Sequence, residues 1–122
     1  MSKVLVVDDE PDIVELVAFI FRKRGHEVVT AGNGCEALTR ARAGAPDVIV
    51  LDVMLPEMDG FTVCEILRRD PATANVPIIL LTARPGELCR VIGLDAGAND
   101  YLTKPFSPRE LERRVQVLLQ RR

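Results

Sequence analysis

A chain of 122 residues with 16 basic and 18 acidic side chains, net charge −2, fits one domain and lacks the basic excess of a nucleic-acid-binding domain. Its 48% hydrophobic share suffices for a core at this length. No apolar run approaches the ~20 residues needed to span a bilayer, so no membrane partner is expected.

The elements follow in order. MSKVLVV enters a strand over Val4–Val7 with no small-residue cleavage site, unlike a signal peptide. Ile13, Leu16, Val17, Ile20 and Phe21 repeat with helical period, predicting a helix over about Pro11–Arg24 that opens on proline and ends at Gly25. A second strand centres on Val28–Val29. Asn33-Gly34 starts a second helix to about Ala43, before Gly44. Val48–Leu51 is a third strand. Asp59-Gly60, read as a turn with Gly60 at positive φ, precedes a helix to about Arg69. Val76–Leu81 is a fourth strand, with a helix from about Gly86 to Ala96 after it. A short fifth strand lies near Tyr101–Leu102. Ser107-Pro108-Arg109-Glu110 reads as a capping box with proline at the first helical position, opening a helix to about Leu119.

Strand and helix thus alternate five times, and the first, third and fourth strands are continuously apolar, as in strands covered on both faces. The expected fold is α/β, a (βα)5 doubly wound, five-stranded parallel sheet of order 2-1-3-4-5, flavodoxin-like, with helices on both faces as a three-layer sandwich. In that order the first and third strands are neighbours, and ligands bind at their C-terminal ends.

At those ends stand Asp8 and Asp9 after the first strand, Asp52 after the third, Thr82 after the fourth and Lys104 after the fifth. Three carboxylates this close cannot all stay ionised unaided: one takes a proton, or a cation neutralises them. Oxygen ligands without His or Cys favour Mg²⁺ or a similar ion such as Mn²⁺ over zinc. A metal, an ammonium and a hydroxyl around one carboxylate suit phosphoryl transfer, with the carboxylate itself as a possible nucleophile.

These residues sit in VLVVDDEPD (4–12), VIVLDVMLPEMDG (48–60), IILLTA (78–83) and GANDYLTKPF (97–106). Over its whole length, as a single domain of residues 1–122, the chain resembles the receiver (CheY-like) domain of two-component response regulators. Its pattern is nearest the winged-helix (OmpR/PhoB-type) transcription regulators. The resemblance implies Asp52 as phosphoacceptor. It implies Mg²⁺ held by Asp8, Asp9, Asp52 and the Met54 backbone carbonyl, with Asp9 binding directly and Asp8 partly through water. Lys104 would contact the phosphoryl group and pair with Asp52. Thr82 and the Ala83 amide would be hydrogen-bond donors to it. Thr82 and Tyr101 would form the switch, and Lys104-Pro105 would be a cis peptide. The implied partner is a sensor histidine kinase or a histidine phosphotransfer protein. The domain would catalyse only its own phosphorylation and the hydrolysis of its acyl phosphate. It would not itself bind nucleic acid, and it is either a stand-alone regulator or the N-terminal part of a DNA-binding one. Arg90 and Asp100 on one side could meet Glu110 and Arg114 on another across a two-fold interface of the fourth helix, fifth strand and fifth helix. Gln116 departs from that pattern where a base would answer Asp95, and a plain solvated face is the alternative.

Other readings fit less well. A haloacid-dehalogenase-type phosphatase needs DxD at a strand end, and neither DDEP nor DVML supplies it. DDEP would repel the phosphate that a flavodoxin cradles, and neither GxGxxG nor GxxxxGK[ST] occurs. An unphosphorylated adaptor of the same fold would lack one of the site residues. Glu10 and Asp12 read as helix-start acids outside the site, and His26 as inert. Cys35, Cys64 and Cys89, odd in number and without a CxxC pair, read as free thiols behaving as small hydrophobes in a reducing cytoplasm.

Overall fold

The computed structural model describes residues 1–83 and 87–120, with the backbone alone at 87 and 88. The elements are β1 (Lys3–Val7), α1 (Pro11–Lys23), β2 (Glu27–Ala31), α2 (Gly34–Gly44), β3 (Val48–Asp52), α3 (Gly60–Arg69), β4 (Ile78–Thr82), α4 (Glu87–Asp95), β5 (Asp100–Thr103) and α5 (Pro108–Gln120). The start expected for α4 at Gly86 lies outside the described residues. The sheet is parallel and ordered β2-β1-β3-β4-β5, as the alternation of elements requires.

The continuously apolar strands are covered on both faces, and their side chains divide with period two. Leu5, Val7, Ile49, Leu51, Ile78 and Leu80 join Ala37 and Ala41 of α2 and Val63, Cys64 and Leu67 of α3. Val4, Val6, Val48, Val50, Ile79 and Leu81 join Val17, Ile20 and Phe21 of α1 and Leu111, Val115 and Leu118 of α5. A slip of one residue in any central strand would exchange these two sets, so packing holds the register. That register pairs Val7 with Leu51, Asp52 with Leu81, and Thr82 with Thr103. Asp52 and Thr82 are therefore the last residues of their strands rather than loop residues.

Helix ends follow local chemistry. The Asn33 side chain accepts from Glu36 N at 2.8 Å, and Glu36 Oε1 accepts from Gly32 N at 2.6 Å. Asp59 Oδ1 accepts from Thr62 N at 2.9 Å. Gly25, at φ +87°, closes α1 as expected. In α2 the left-handed cap is Ala45, one residue beyond Gly44. The capping box of α5 forms only in part. Ser107 Oγ accepts from Glu110 N at 3.3 Å, but the Glu110 carboxylate turns to Arg113 at 2.7 Å and Arg114 at 2.6 Å, because a charged partner outweighs a backbone amide.

The expected positive φ at Gly60 is not found. In the β3–α3 loop that conformation belongs to Glu57, at φ 66°, inside a three-residue turn where Met58 N donates to Pro56 O at 2.6 Å. Gly60 is needed for closeness instead. A Cβ there would press on the Asp52 carbonyl oxygen and lie 2.8 Å from Val53 Cα. Its N–H donates to Val53 O at 2.9 Å, so α3 starts directly against the end of β3.

Cys64 is buried, and burial pushes its thiol up to about 11, which makes it unreactive. Cys35 departs from the expected apolar role, since it is exposed near the start of α2. His26 accepts from Ser2 N through Nδ1 at 3.2 Å, a bond that ties the N-terminus to the entrance of β2. Among the described residues no helix is long and apolar enough to cross a membrane. Gly60→Ala should destabilise the domain by ~1–3 kcal/mol through overpacking at the β3–α3 junction. Urea unfolding checks this, and an unchanged midpoint would contradict the close approach.

Candidate functional site at the strand ends

Each site residue is placed by an apolar strand behind it. Leu5–Val7 are almost wholly buried, and β1 continues into Asp8, whose N–H donates to Ala31 O at 3.1 Å. Ile49–Leu51 do the same for Asp52. Because β1 and β3 are hydrogen-bonded neighbours, their acids meet. One carboxylate oxygen from each of Asp8, Asp9 and Asp52 lies within 4.8 Å of the others.

The three acids have different surroundings. Asp8 is buried and paired at both oxygens: Oδ1 accepts from Glu10 N at 2.9 Å and Oδ2 from Lys104 Nζ at 2.9 Å. Asp52 is buried as well. Its Oδ1 accepts from Met54 N at 3.3 Å and lies 3.5 Å from Lys104 Nζ. Asp9 is exposed and borders a hollow of about 340 Å³ with Met54, Pro56 and Asp59. Burial, and then the charge of Asp8, raise the Asp52 carboxyl from 3.8 to about 6, while Lys104 and the Met54 amide pull the other way. For Lys104, burial alone would lower its value. The hydrogen bond to Asp8 and the charges of Asp52, Asp8 and Glu10 outweigh it and hold the ammonium above its ordinary range.

The structure therefore brings together Asp8, Asp9, Asp52 and Lys104, but Lys104 sits nearer Asp8 than Asp52. It also adds Glu10, whose carboxylate is 3.6 Å from Lys104 Nζ. Sequence reasoning set Glu10 aside because helix-start acids are common. The signal was its place third in an acidic run facing a lone ammonium. At 63% side-chain exposure its pairing is heavily screened.

Thr82 ends β4 fully buried, and its carbonyl accepts from Lys104 N at 2.6 Å, which couples the ends of β4 and β5. Ala83 follows it at the surface. Tyr101 is inward, 8% exposed, in the layer that holds Leu80 and Ala98. Lys104-Pro105 is cis.

Asp100, Glu110 and Arg114 are joined within one chain. Arg114 Nη1 binds Asp100 at 2.8 Å and Arg114 Nε binds Glu110 at 2.6 Å within one chain. Arg114 of α5 thus links β5 to the first turn of its own helix. The hydrogen bonds from Arg114 and then Arg113 hold the Glu110 carboxyl below its ordinary value.

An all-oxygen set of three acids with a raised carboxyl fits a divalent cation of the hard, oxygen-preferring kind. In comparisons with known proteins, the model of the response regulator receiver domain family matches residues 4–116. The chain is 50% identical over 120 residues to the alkaline phosphatase synthesis transcriptional regulatory protein PhoP of Bacillus subtilis, covering 98% of this chain and 49% of that protein. It is 44% identical over 120 residues to the DNA-binding response regulator MtrA of Mycolicibacterium smegmatis, covering 98% and 51%. The chain spans about half the length of these curated relatives. Among solved structures, the receiver domain of Francisella response regulator 1452 superposes with a TM-score of 0.93 at 40% identity, covering 99% of this chain and 98% of that one. The beryllofluoride-activated receiver domain of Klebsiella pneumoniae RstA superposes with a TM-score of 0.89 at 33% identity, covering 96% and 97%.

The raised Asp52 value has a consequence for stability. The folded carboxyl titrates near 6 and the unfolded one near 3.8, so the folded chain holds an extra proton between them. Without divalent cations, stability should fall as pH rises from about 4 to about 6 and stay low above that. Asp52→Asn removes this titration. It should stabilise the cation-free domain at about pH 7.5 by up to ~3 kcal/mol, with little effect at about pH 4. Urea midpoints at the two pH values check this, and equal midpoints for the two proteins at the higher pH would contradict it.

Proposed function

The chain belongs to the receiver domain family of two-component response regulators, and on that footing we propose that Asp52 is its phosphoacceptor. The observation that carries this reading is the convergence of Asp8, Asp9 and Asp52 within 4.8 Å, with Lys104 Nζ 3.5 Å from Asp52. Receiver domains are phosphorylated by histidine kinases, and those of transcription regulators are not in general classical enzymes. The partner here is a sensor histidine kinase or a histidine phosphotransfer protein. A carboxylate oxygen of Asp52 forms the new P–O bond as the P–N bond of the donor phosphohistidine breaks and the imidazole leaves. Asp52 Oδ1 already faces the Met54 amide and Lys104, so Oδ2 is the oxygen presented to the donor.

Asp9, Asp52 and the Met54 carbonyl, with Asp8 beside them, would hold Mg²⁺ or Mn²⁺. When bound, that ion supplies positive charge against the acids and the phosphoryl oxygens. Lys104, shared between Asp8 and Asp52, swings its ammonium to a phosphoryl oxygen once Asp52 is modified. Thr82 and the Ala83 amide are the further donors, and slow hydrolysis of the acyl phosphate resets the domain. The Thr82 hydroxyl and the buried Tyr101 ring lie on β4 and β5 beside α4, so their rearrangement biases that side of the domain between two states. The setting is cytoplasmic, which suits the free thiols.

The output belongs to a DNA-binding transcription regulator, in line with the relatives' names, and this domain itself does not bind nucleic acid. Phosphorylation promotes pairing of two copies through α4, β5 and α5. Val91 and Ile92 of α4 and Val117 of α5 are all at least 40% exposed there, around the Asp100–Arg114–Glu110 cluster and near Arg90.

A small-molecule phosphodonor should label the wild type with Mg²⁺ present. Asp52→Asn should take no label, and Asp9→Ala should lose the reaction or its Mg²⁺ dependence. Label retained by Asp52→Asn would overturn the assignment. In sedimentation, beryllofluoride should shift the domain from monomer to dimer, and a monomer under both conditions would rule out the pairing.

A further inference from the structure

Arg68 lies at the end of α3, on the edge of the sheet where strands begin, opposite Asp52. It is half-buried, and burial lowers its guanidinium from the ordinary value. Among the described residues its hydrogen-bond partners are all uncharged. Nε donates to Gly97 O at 2.8 Å, Nη1 to Val76 O at 2.6 Å and Ala74 O at 3.2 Å, and Nη2 to Asn99 Oδ1 at 2.8 Å. Asn99 Oδ1 also accepts from Ile78 N at 2.8 Å, and Asn99 N donates to Ile78 O at 2.8 Å. Arg68 thus joins the loop before β4, the turn that closes α4 and the residue before β5, and through Asn99 it reaches the first residue of β4. Only a planar fork of five N–H groups can reach so many acceptors at once.

The contact is tight as well as polar. Gly97 stands at φ +109°, and a Cβ there would lie 2.6 Å from Arg68 Cγ. Gly97 N and Ala98 N close α4 on Leu94 O and Gly93 O, at 3.0 and 3.1 Å. In α4, Val91, Ile92 and Leu94 are all more than 40% exposed, and its close approach to the sheet is at Gly93, over Leu80 and Tyr101.

We propose that Arg68 is a positioning residue that fixes the C-terminal end of α4 and the start of β5. A rearrangement of Thr82 and Tyr101 then moves α4 at its opposite end only. The inference rests on the phosphoacceptor reading above and adds the anchored end through which that signal acts. Arg68 touches none of the reacting groups. Its removal uncouples the response without stopping the chemistry.

Amide hydrogen exchange of the 122-residue chain tests this, with and without beryllofluoride and Mg²⁺. In the wild type, beryllofluoride should change exchange over residues 87–93 and leave 94–99 unchanged. In Arg68→Ala, residues 94–99 should exchange about tenfold faster or more in the free state. The beryllofluoride response should then spread through residue 99, while labelling by the phosphodonor stays within about twofold. Arg68→Lys, which keeps the charge and loses the fork, should fall between the two in exchange. Tyr101 is the only tyrosine and there is no tryptophan, so its emission reports whether the core around it is intact. If Arg68→Ala does not fold, Asn99→Ala removes one arm of the same clamp and is read in the same way. Wild-type exchange at 94–99 in both variants would overturn the proposal, as would a wild-type beryllofluoride response as large at 94–99 as at 87–93. If the wild type takes neither label nor beryllofluoride, the phosphoacceptor reading fails, and free-state exchange at 94–99 still decides the clamp.

Discussion

Two buried carboxylates from adjacent parallel strands set the terms for the rest of this molecule. Asp8 and Asp52 are both at most 2% exposed; Asp52 ends β3, Asp8 directly follows β1, and the apolar residues behind each are buried. Hydrophobic packing of Val4–Val7 and Val48–Leu51 holds the register, and the register forces the two charges together. The apolar core is thus what places like charges side by side. No local preference of either strand end would do so, since each acid alone is better solvated.

The strain is divided unequally. Asp8 has a partner at each oxygen, the Glu10 amide and the Lys104 ammonium. Asp52 has a longer contact to each of its two partners, through one oxygen, and its carboxyl rises to about 6. The less satisfied acid is the one that gains most from a proton, a cation or a covalent phosphoryl group. Lys104 answers both acids from the far side of β4 and cannot fully neutralise either. The same arrangement that weakens Asp52 as a structural element suits it, on the proposed reading, to accept a phosphoryl group.

The opposite edge of the sheet works by the reverse principle. There Arg68 gathers three neutral carbonyls and one amide oxygen around a single guanidinium. β4 and β5 run between the two edges, and α4 lies beside them with Val91, Ile92 and Leu94 only partly covered. On the proposed reading, the clamped end of α4 stays in place while its other end moves.

Much of this was legible in the amino-acid order. Continuous apolar runs identified the buried strands, helical spacing identified the covering helices, and Asp8, Asp9, Asp52, Thr82 and Lys104 could be assigned to one edge because parallel strands all end there. What was missed shares a single cause. Gly60 was assigned to a turn by its dipeptide, but its role comes from the Asp52 carbonyl pressing on it. Glu110 was assigned to a cap by its spacing, but Arg114 and Arg113 claim it. Arg68 carried no motif, since its partners are main-chain atoms that look alike in any sequence. Pattern and spacing determined which residues face the core and which edge bears the charge, because both follow from the period of the backbone. The partner each polar side chain takes was decided only by tertiary structure, because that choice depends on which distant segment packing brings within three ångströms.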